Sequence, residues 1–282
     1  MTNKPRNILV TGASTGIGHA ITRSLINRGY RVIGSVRRED DAQRLTSDFG
    51  DSYIPMLMDV TDHIAVENAV AGLPESIIAE GLHALVNNAG IAEGGPLQYQ
   101  SQDDFEKHFS VNVFGLMRVT RACLPLLGAV EETKIPPGRI INISSVAGKF
   151  ASPFVGAYVG SKHAVEGISH SLRRELLIYG IDVIIVGPGA VDTPIWDKGI
   201  RLEKYSHTPY HKILQGFGKV AKEGGEQGLS ADFIGQKVAR IIDLKNPKVR
   251  YAYVPNRLTN WIIPRILPAR MMDRIIKKKL KV

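Results

Sequence analysis

The chain has 282 residues, of which 44% are hydrophobic and 22% are charged. This composition is ordinary for a packed globular protein, and it excludes a disordered or collagen-like chain. The length is about twice that of a common domain, but open α/β sheets and barrels use roughly 200 to 300 residues around one core. We therefore expect a single large domain.

The net charge of +9 is concentrated in the last part of the chain. Residues 257–282 contain eight basic residues and one acidic residue, so they carry +7, while the other 256 residues carry only +2. A basic patch spread over a domain is typical of nucleic-acid binding, whereas a basic tail points to a membrane surface or another anionic partner. We therefore predict no nucleic-acid partner.

Cysteine content and hydropathy bear on the compartment. A single cysteine, Cys123, cannot form an internal disulfide, so no feature calls for an oxidising environment. Residues 1–6 contain no apolar run, and no stretch reaches the roughly 18 apolar residues that a membrane-spanning helix needs. These features predict a cytoplasmic protein.

Short apolar runs rich in β-branched residues alternate with helical patterns along the chain. This alternation predicts a parallel sheet with helices on both faces, which is the doubly wound, Rossmann-like α/β fold. The predicted strands are residues 7–11, 31–36, 54–58, 84–87, 139–144 and 182–186, with a weaker one at 249–254. The predicted helices are residues 16–28, 41–49, 62–79, 102–127 and 157–179.

Residues 194–228 show no clear periodicity and contain several aromatic residues, among them Trp196, Tyr205, Tyr210 and Phe217. A long irregular stretch inside a compact domain is usually a lid or a binding loop, so we predict a substrate loop here. We expect this loop to belong to one domain at residues 1–256, which a basic amphipathic tail at 257–282 follows.

The sequence TGASTGIG at residues 11–18 follows the first predicted strand and opens the first predicted helix. Gly12 suits a tight turn, Gly16 lets the backbone approach a ligand, and Gly18 lets helix and strand pack closely. The free N–H groups of the helix N-terminus suit a pyrophosphate. The spacing G-x-x-x-G-x-G differs from the G-x-G-x-x-G dinucleotide fingerprint, so an ordinary turn is the alternative.

Five further segments follow this turn in order: NNAG at 87–90, Asn112 in VNVFG, Ser145 closing INISS, Tyr158 and Lys162 in YxxxK, and PGAVDT at 188–193. The six motifs together resemble the short-chain dehydrogenase/reductase family over residues 6–194, with a vaguer match to about residue 254. The resemblance implies an oxidoreductase that uses a nicotinamide dinucleotide. It also implies a homo-oligomer in which the helices at 105–127 and 157–179 pair across a two-fold axis.

The predicted catalytic residues are Ser145, Tyr158, Lys162 and Asn112. Tyr158 and Lys162 are four residues apart on a predicted helix, so they share one face. The ammonium group favours the phenolate, so we predict a lowered pKa for Tyr158 and a role as general acid/base. Ser145 ends a strand and is placed to stabilise a developing alkoxide. A solvated surface pair is the alternative for Tyr158 and Lys162.

The family resemblance adds two roles. It implies that Lys162 also holds the nicotinamide ribose, and that Asn112 anchors a water that links Lys162 to solvent. A bond to the backbone of a kinked helix is the alternative for Asn112.

The end of the second strand bears on the choice of cofactor. An acidic residue there binds the ribose 2′-hydroxyl and repels a 2′-phosphate, whereas this chain has Val36 followed by Arg37. An arginine binds phosphate well, so we predict NADP rather than NAD. Thr15 stands where many NADP-dependent relatives carry a second basic residue, and an ordinary surface arginine is the alternative for Arg37.

The resemblance assigns further residues to the cofactor. Asp59 matches the position that binds the adenine amine, with an acid at a helix N-terminus as the alternative. Asn87 matches a segment against the adenosine ribose, with a sheet-stabilising asparagine as the alternative. The predicted cofactor residues are Gly12, Ser14, Thr15, Gly16, Ile17, Gly18, Arg37, Asp59, Val60, Asn87, Ala89, Gly90, Tyr158, Lys162, Pro188, Gly189, Val191 and Thr193.

The predicted cover of the site contains Phe150, Phe154, Ile195 and Trp196 together with the aromatic residues that follow. Such a cover favours an apolar alcohol or carbonyl substrate, of the steroid, retinoid or fatty-acyl kind. Two other functions use the same fold. One is a lyase or epimerase with a tightly held cofactor, and the other is a non-catalytic dinucleotide sensor.

Two histidines, His207 and His211, have the spacing of metal ligands on a helix. The intervening Thr208, Pro209 and Tyr210 argue against a helix, and no carboxylate or cysteine completes a ligand set. We therefore predict no metal site.

The tail contains a predicted helix at residues 271–280. Met272, Ile276 and Leu280 recur every four residues, flanked by Met271 and Ile275, and the basic residues lie largely opposite. This stripe either packs on the protein and helps close the substrate site, or lies on an anionic membrane surface.

Overall fold

The computed structural model describes residues 6–195, 199 and 202–280, without the side chains of residues 220–222. Within these residues, seven parallel strands form one sheet in the order β3-β2-β1-β4-β5-β6-β9. The strands are β1 (Asn7–Val10), β2 (Arg31–Val36), β3 (Tyr53–Leu57), β4 (Ala84–Asn87), β5 (Arg139–Ile143), β6 (Asp182–Pro188) and β9 (Arg250–Tyr253). Two short strands, β7 (Val191–Asp192) and β8 (Leu229–Ser230), form a separate parallel ladder.

Helices connect the strands and cover both faces of the sheet, which confirms the predicted single-domain, doubly wound fold. The helices are α1 (Gly16–Ile26), α2 (Glu39–Phe49), α3 (His63–Ala71), α4 (Glu75–Glu80), α5 (Gln102–Phe109), α6 (Leu116–Cys123), α7 (Gly156–Glu175), α8 (His211–Glu226), α9 (Ala231–Asp243), α10 (Ile263–Ile266) and α11 (Ala269–Leu280).

The core lies on the two faces of the sheet. Successive strand residues point to opposite faces, so Leu9 packs with Val119 of α6, whereas Val10 packs with Ile21 of α1 and Val238 of α9. Because both faces are covered, the strands read as near-continuous apolar runs.

The strand order reverses between β1 and β4, which lie side by side in the middle of the sheet. Doubly wound sheets bind ligands outside the carboxyl ends of the strands at this switch point. The glycine turn follows β1 and the NNAG segment follows β4. The fold therefore brings both motifs to one edge.

Two predicted helices are interrupted. The helix predicted at 62–79 is wrong as a single element, because α3 ends before Gly72 and α4 begins after Pro74. Proline lacks an N–H and disfavours helical backbone in the residue before it. The helix predicted at 102–127 contains a π-helical turn, Ser110–Gly115, between α5 and α6.

The prediction that residues 194–228 are irregular is wrong over most of its second half. Residues 202–205 form a 3₁₀ turn, and α8 spans sixteen residues, of which Leu214 is fully buried. Four glycines, Gly216, Gly218, Gly224 and Gly225, lower its helix propensity and mask its periodicity. His211 begins this helix, whereas His207 precedes it. Among the described residues, no three His, Cys, Asp or Glu side chains are grouped to hold a metal ion.

The carboxyl-terminal segment is helical, as predicted for residues 271–280, and α11 begins two residues earlier. Met272, Ile276 and Leu280 are half-buried, whereas Met271 and Ile275 are exposed. Each face of the predicted stripe therefore has a different environment. None of the helices that the structure describes is both long enough and apolar enough to span a membrane.

Candidate active site

The turn after β1 has the geometry of a phosphate cradle. Gly12 and Gly16 have φ of 66° and 56°, which L-residues with side chains rarely adopt. A Cβ on Gly18 would lie 2.1 Å from the Gly12 carbonyl oxygen, so only glycine allows α1 to start this close to the strand. Gly12 N–H donates to Ser35 Oγ at 3.1 Å, which ties the turn to β2.

Three predicted catalytic side chains meet at the carboxyl end of β5. Ser145 follows this strand, and its hydroxyl lies close enough to the Tyr158 phenol to favour a lower pKa for that phenol. Lys162 Nζ lies 5.8 Å from the centre of the Tyr158 ring and donates to the Ile143 carbonyl at 2.9 Å. Ser145 and Lys162 are buried, and Tyr158 is half-buried. The solvated-pair alternative for Tyr158 and Lys162 therefore does not describe the structure.

The pKa shifts at this site differ in part from the prediction. Burial raises the pKa of Tyr158, and the hydrogen bond from Ser145 offsets this only partly. Burial lowers the pKa of Lys162 to about 8, against the opposing charge of Glu166. The protein groups alone therefore raise the pKa of Tyr158. The cause is desolvation, which penalises the charged form of both residues. The predicted lowering also counted the positive charge of a bound nicotinamide ring, and it stays a prediction.

Asn112 lies in the π-helical turn and is buried. Its amide accepts from Ile91 N–H at 2.9 Å and donates to the Ile91 carbonyl at 3.0 Å and to Ser161 Oγ at 2.9 Å. A Cβ on Gly90 would lie 3.2 Å from Asn112 Oδ1 and 3.7 Å from Lys162 Nζ. The backbone that Asn112 bonds therefore lies in the loop after β4 and not in its own kinked helix, so the structure does not show the alternative role. Gly90 of the same loop lies near both Asn112 and Lys162.

A cluster of arginines follows β2. Arg37 is exposed, whereas Arg38 Nε donates to Asp41 at 3.0 Å. Arg44, which no motif indicates, donates from α2 to the Ser14 carbonyl of the glycine turn at 3.0 Å. Its guanidinium stands on the turn that carries Thr15, so α2 supplies a basic group where the turn itself has none.

The adenine-side residues divide into two groups. Thr61 donates to Asp59 from N–H and hydroxyl at 2.8 and 2.7 Å. Burial raises the pKa of Asp59, but these bonds and the charge of Arg37 outweigh it and hold the pKa below its usual value. Asn87, by contrast, donates to Thr120 Oγ1 and Asn142 Oδ1, both at 2.9 Å inside the protein. The Asn87 side chain therefore serves the sheet, as its alternative role predicts.

The remaining predicted cofactor residues border the same edge. Ala89 N–H donates to Thr11 Oγ1 at 2.9 Å, and a Cβ on Gly16 would lie 3.3 Å from Thr193 Cγ2. The Ser145 hydroxyl faces the Pro188 carbonyl at 3.4 Å. Ser14 and Ile17 belong to the glycine turn and the start of α1, Val60 is buried after β3, Gly189 follows β6, and Val191 lies in β7.

An aromatic cluster includes Phe154, which lies in the loop just before α7, the helix that carries Tyr158. The Phe154 ring lies 5.3 Å from Phe217 and 5.8 Å from Tyr210, which in turn lies 6.0 Å from Tyr99. Phe154 adopts φ of 63°, an uncommon value for a non-glycine residue. The loop before α7, α8 and the segment after β4 thus contribute to one wall. The predicted cover residue Ile195 is partly exposed, and Trp196 lies outside the described residues.

The structure combines a glycine turn at the switch point of the sheet with a nearby serine, tyrosine and lysine. This arrangement is typical of a dinucleotide-dependent oxidoreductase. The turn fits such a cofactor because no side chain on Gly18 pushes the start of α1 away from the Gly12 carbonyl. Sequence comparison then identifies the family. The family description "short chain dehydrogenase" matches residues 6–202, so the chain belongs to the short-chain dehydrogenase family of oxidoreductases.

Individual relatives span nearly the whole chain. An NADPH-dependent 3-dehydrocapnine reductase of Ornithobacterium rhinotracheale is 38% identical over 98% of both chains. Dehydrogenase/reductase SDR family member 9 of Bos taurus is 31% identical over 96% of this chain and 87% of its own. The closed form of a serine dehydrogenase complexed with NADP+ superposes with a TM-score of 0.76, at 29% identity over 88% of this chain and 94% of its own.

Proposed function

We propose that this protein uses NADP(H) to interconvert an apolar ketone or aldehyde and the corresponding alcohol. The observation that carries the proposal is that Ser145, Tyr158 and Lys162 lie together at the end of β5, with Lys162 Nζ 5.8 Å from the centre of the tyrosine ring. A hydroxyl pair of this kind can hold a carbonyl oxygen and protonate it. The reductase of Ornithobacterium rhinotracheale, which is NADPH-dependent by name, supports both the cofactor and the reaction class.

The residues divide the chemical work. NADPH supplies the hydride when bound. Ser145 orients the carbonyl oxygen and stabilises the negative charge that develops on it. Tyr158 transfers its phenolic proton to that oxygen, and its raised pKa keeps the proton available at neutral pH. Lys162 places a positive charge beside the phenol, which stabilises the phenolate once the proton has left.

The cofactor choice rests on Arg37. It is exposed at the end of β2 with no acidic residue in the preceding strand position, which is Val36. An exposed guanidinium here suits the 2′-phosphate. Arg44 adds positive charge at the glycine turn, although it is also paired with Asp41 at 3.0 Å.

The substrate class rests on the aromatic cluster of Tyr99, Phe154, Tyr210 and Phe217. Aromatic walls with few polar groups select apolar ligands, so a steroid, retinoid or fatty-acyl ketone fits better than a small polar one. We expect Phe217→Ala to raise KM for a long-chain ketone by about tenfold, since burying one aromatic ring contributes about 1.5 to 3 kcal/mol.

The decisive experiment measures NADPH oxidation with a panel of ketones of increasing chain length. Net oxidation that requires an apolar ketone supports the proposal. Isomerisation or elimination without net oxidation would show a lyase or epimerase, and cofactor binding without turnover would show a sensor. Tyr158→Phe should abolish turnover and leave NADPH affinity within about threefold, because it removes only the transferable proton.

We further propose a homo-oligomer. Four large apolar side chains on α5, the π-helical turn and the turn after α7 are exposed by 36 to 81%. They are Phe105, Phe114, Leu177 and Ile178. A symmetric interface between these helices would cover them. Light scattering at micromolar concentration should give a multiple of the chain mass, and Phe114→Glu should reduce it.

The carboxyl-terminal segment is proposed to contact an anionic membrane surface. Five apolar side chains of this segment, Leu258, Ile262, Ile266, Met271 and Ile275, are exposed by 40 to 71%. Residues 257–280 also carry seven basic residues against one acidic residue. Exposed apolar and basic groups together favour anionic lipid, each basic residue by about 1 kcal/mol.

Vesicle sedimentation tests this contact. The protein should bind vesicles that contain phosphatidylserine, less so at high salt, and not vesicles of phosphatidylcholine alone. Ile266→Ser combined with Met271→Ser should weaken binding, whereas Ile64→Ser, which removes an equally exposed isoleucine on α3, should not. Equal binding by both variants would argue that the segment has only a structural role.

A further inference from the structure

Glu166 and Arg250 form an ion pair next to the backbone of the catalytic Ser145. Glu166 stands one turn after Lys162 on α7 and is 1% exposed. Its carboxylate accepts from Arg250 Nε and from the Ser144 hydroxyl, both at 2.9 Å, and Lys149 Nζ lies 3.4 Å away. A buried carboxylate without such partners is strongly destabilising. The four side chains are therefore an interdependent set.

Arg250 links this set to the main chain of the catalytic serine. Its Nη2 lies 2.8 Å from Glu166 and donates to the Ser145 carbonyl at 3.2 Å. A Cβ on Gly187 of the neighbouring strand would lie 2.5 Å from Nη2, so the absence of a side chain there leaves room for the guanidinium. Ser144 is held through its hydroxyl and Ser145 through its carbonyl, so this ion pair fixes the backbone that carries the catalytic hydroxyl.

The carboxyl-terminal segment covers the other side of Arg250. Trp261 is 7% exposed, and its ring centre lies 4.4 Å from the Arg250 guanidinium and 4.5 Å from that of Arg265. Stacking on an aromatic ring restricts a guanidinium and leaves its N–H groups free to bond in its plane. Trp261 therefore holds Arg250 in the orientation that reaches Glu166 and Ser145.

We propose that Glu166, Arg250 and Trp261 are positioning residues that orient Ser145, so that the carboxyl-terminal segment contributes to the catalytic step. The inference rests on the proposed function for its kinetic consequence. Its structural basis is the chain of contacts from Trp261 through Arg250 to Ser145. The glycine turn and the end of β2 lie away from the β9 edge of the sheet. Among the predicted cofactor residues, Pro188 and Gly189 are the ones that border β9, so we expect only a small change in cofactor affinity.

The kinetic test uses Trp261→Ala. We expect kcat to fall about tenfold or more, because a misplacement of about 1 Å can cost roughly 100-fold, while KM for NADPH stays within about twofold. Trp261→Phe keeps a ring face and should recover most of kcat. The matched control is Arg28→Gln, which breaks the ion pair with Asp243 far from the site and should leave kcat unchanged. An unchanged kcat in Trp261→Ala would overturn the proposal.

Hydrogen exchange provides a readout that does not depend on turnover. The amides of Ala147 and Gly148 donate to the Ser145 hydroxyl and carbonyl, both at 3.1 Å. Trp261→Ala should accelerate exchange in a peptide that covers residues 144–149, and Arg28→Gln should not. If the parent protein reduces no ketone, the proposed function fails by itself. Unchanged exchange at residues 144–149 would still overturn the positioning role.

Discussion

Gly18→Ala tests whether the glycine turn depends on close approach of helix and strand. The new Cβ would lie 2.1 Å from the Gly12 carbonyl oxygen and 2.4 Å from Asn88 Nδ2. Asn88 must then move, and it would lose the bonds that its amide donates to the Thr11 carbonyl at 2.9 Å and the Gly12 carbonyl at 3.2 Å. Each bond contributes about 1 kcal/mol, and overpacking adds about 1 to 3 kcal/mol. The expected loss is therefore about 3 to 5 kcal/mol.

Urea denaturation and NADPH titration measure the two consequences. The denaturation midpoint should fall, and NADPH affinity should fall by at least about tenfold, because a shift of this turn also displaces the N–H groups at the start of α1 that suit a phosphate. The matched control is Gly167→Ala on α7, where a Cβ would meet no atom within 4 Å. That variant should gain up to about 1 kcal/mol from helix propensity. A Gly18→Ala protein as stable as its parent, with unchanged affinity, would refute the reasoning.

Four other substitutions separate the roles of individual residues. Arg37→Asp should lower the preference for NADPH over NADH by at least about tenfold, since a charge-assisted bond contributes about 1.5 to 3 kcal/mol. Arg38→Asp should change this preference less, because Arg38 is already paired with Asp41. Asn87→Ala should lower the free energy of unfolding by about 1 to 3 kcal/mol and leave KM for NADPH within about twofold. A raised KM at unchanged stability would show that the Asn87 side chain binds the cofactor after all. Activity should decline as the pH rises through about 8, where Lys162 loses its proton. Because the pKa of Lys162 is lower in the folded protein, burying its charge destabilises the fold below pH 8, and this cost disappears as the pH rises towards 10.5. Lys162→Met should therefore be inactive, but at pH 7 its free energy of unfolding should be higher by about 1 to 3 kcal/mol.

Most of the sheet is predictable from the sequence because each strand is buried on both faces. All seven strands appear where β-branched apolar runs predict them, within two residues at either end. Helix α8 is not predictable in the same way. Its glycines carry no side chain to show a stripe, and its position depends on packing of Leu214 and Phe217 against the rest of the protein. Tertiary contacts override weak local propensity there.

The catalytic side chains are predictable because motif spacing places them on known elements. The Tyr158 pKa is not, since the helix spacing indicates the Lys162 charge but not the depth of burial that outweighs it. Asn87 illustrates the same limit. A motif gives the residue and its strand, but only the structure shows that its amide turns inward to Thr120 and Asn142 rather than outward to the ligand edge.

Periodicity could not predict the contacts of the carboxyl-terminal segment, because two of its sides have different environments. Its inner side places Trp261 on Arg250, and its outer side exposes Ile266 and Met271. A single amphipathic stripe predicts either packing or membrane contact, whereas this segment has one side that packs on the protein and another side that is exposed. If both proposals hold, lipid binding on the outer side would restrict the same segment that orients Ser145 from the inner side. Anionic vesicles should then raise kcat of the parent protein, and they should not raise kcat of Trp261→Ala.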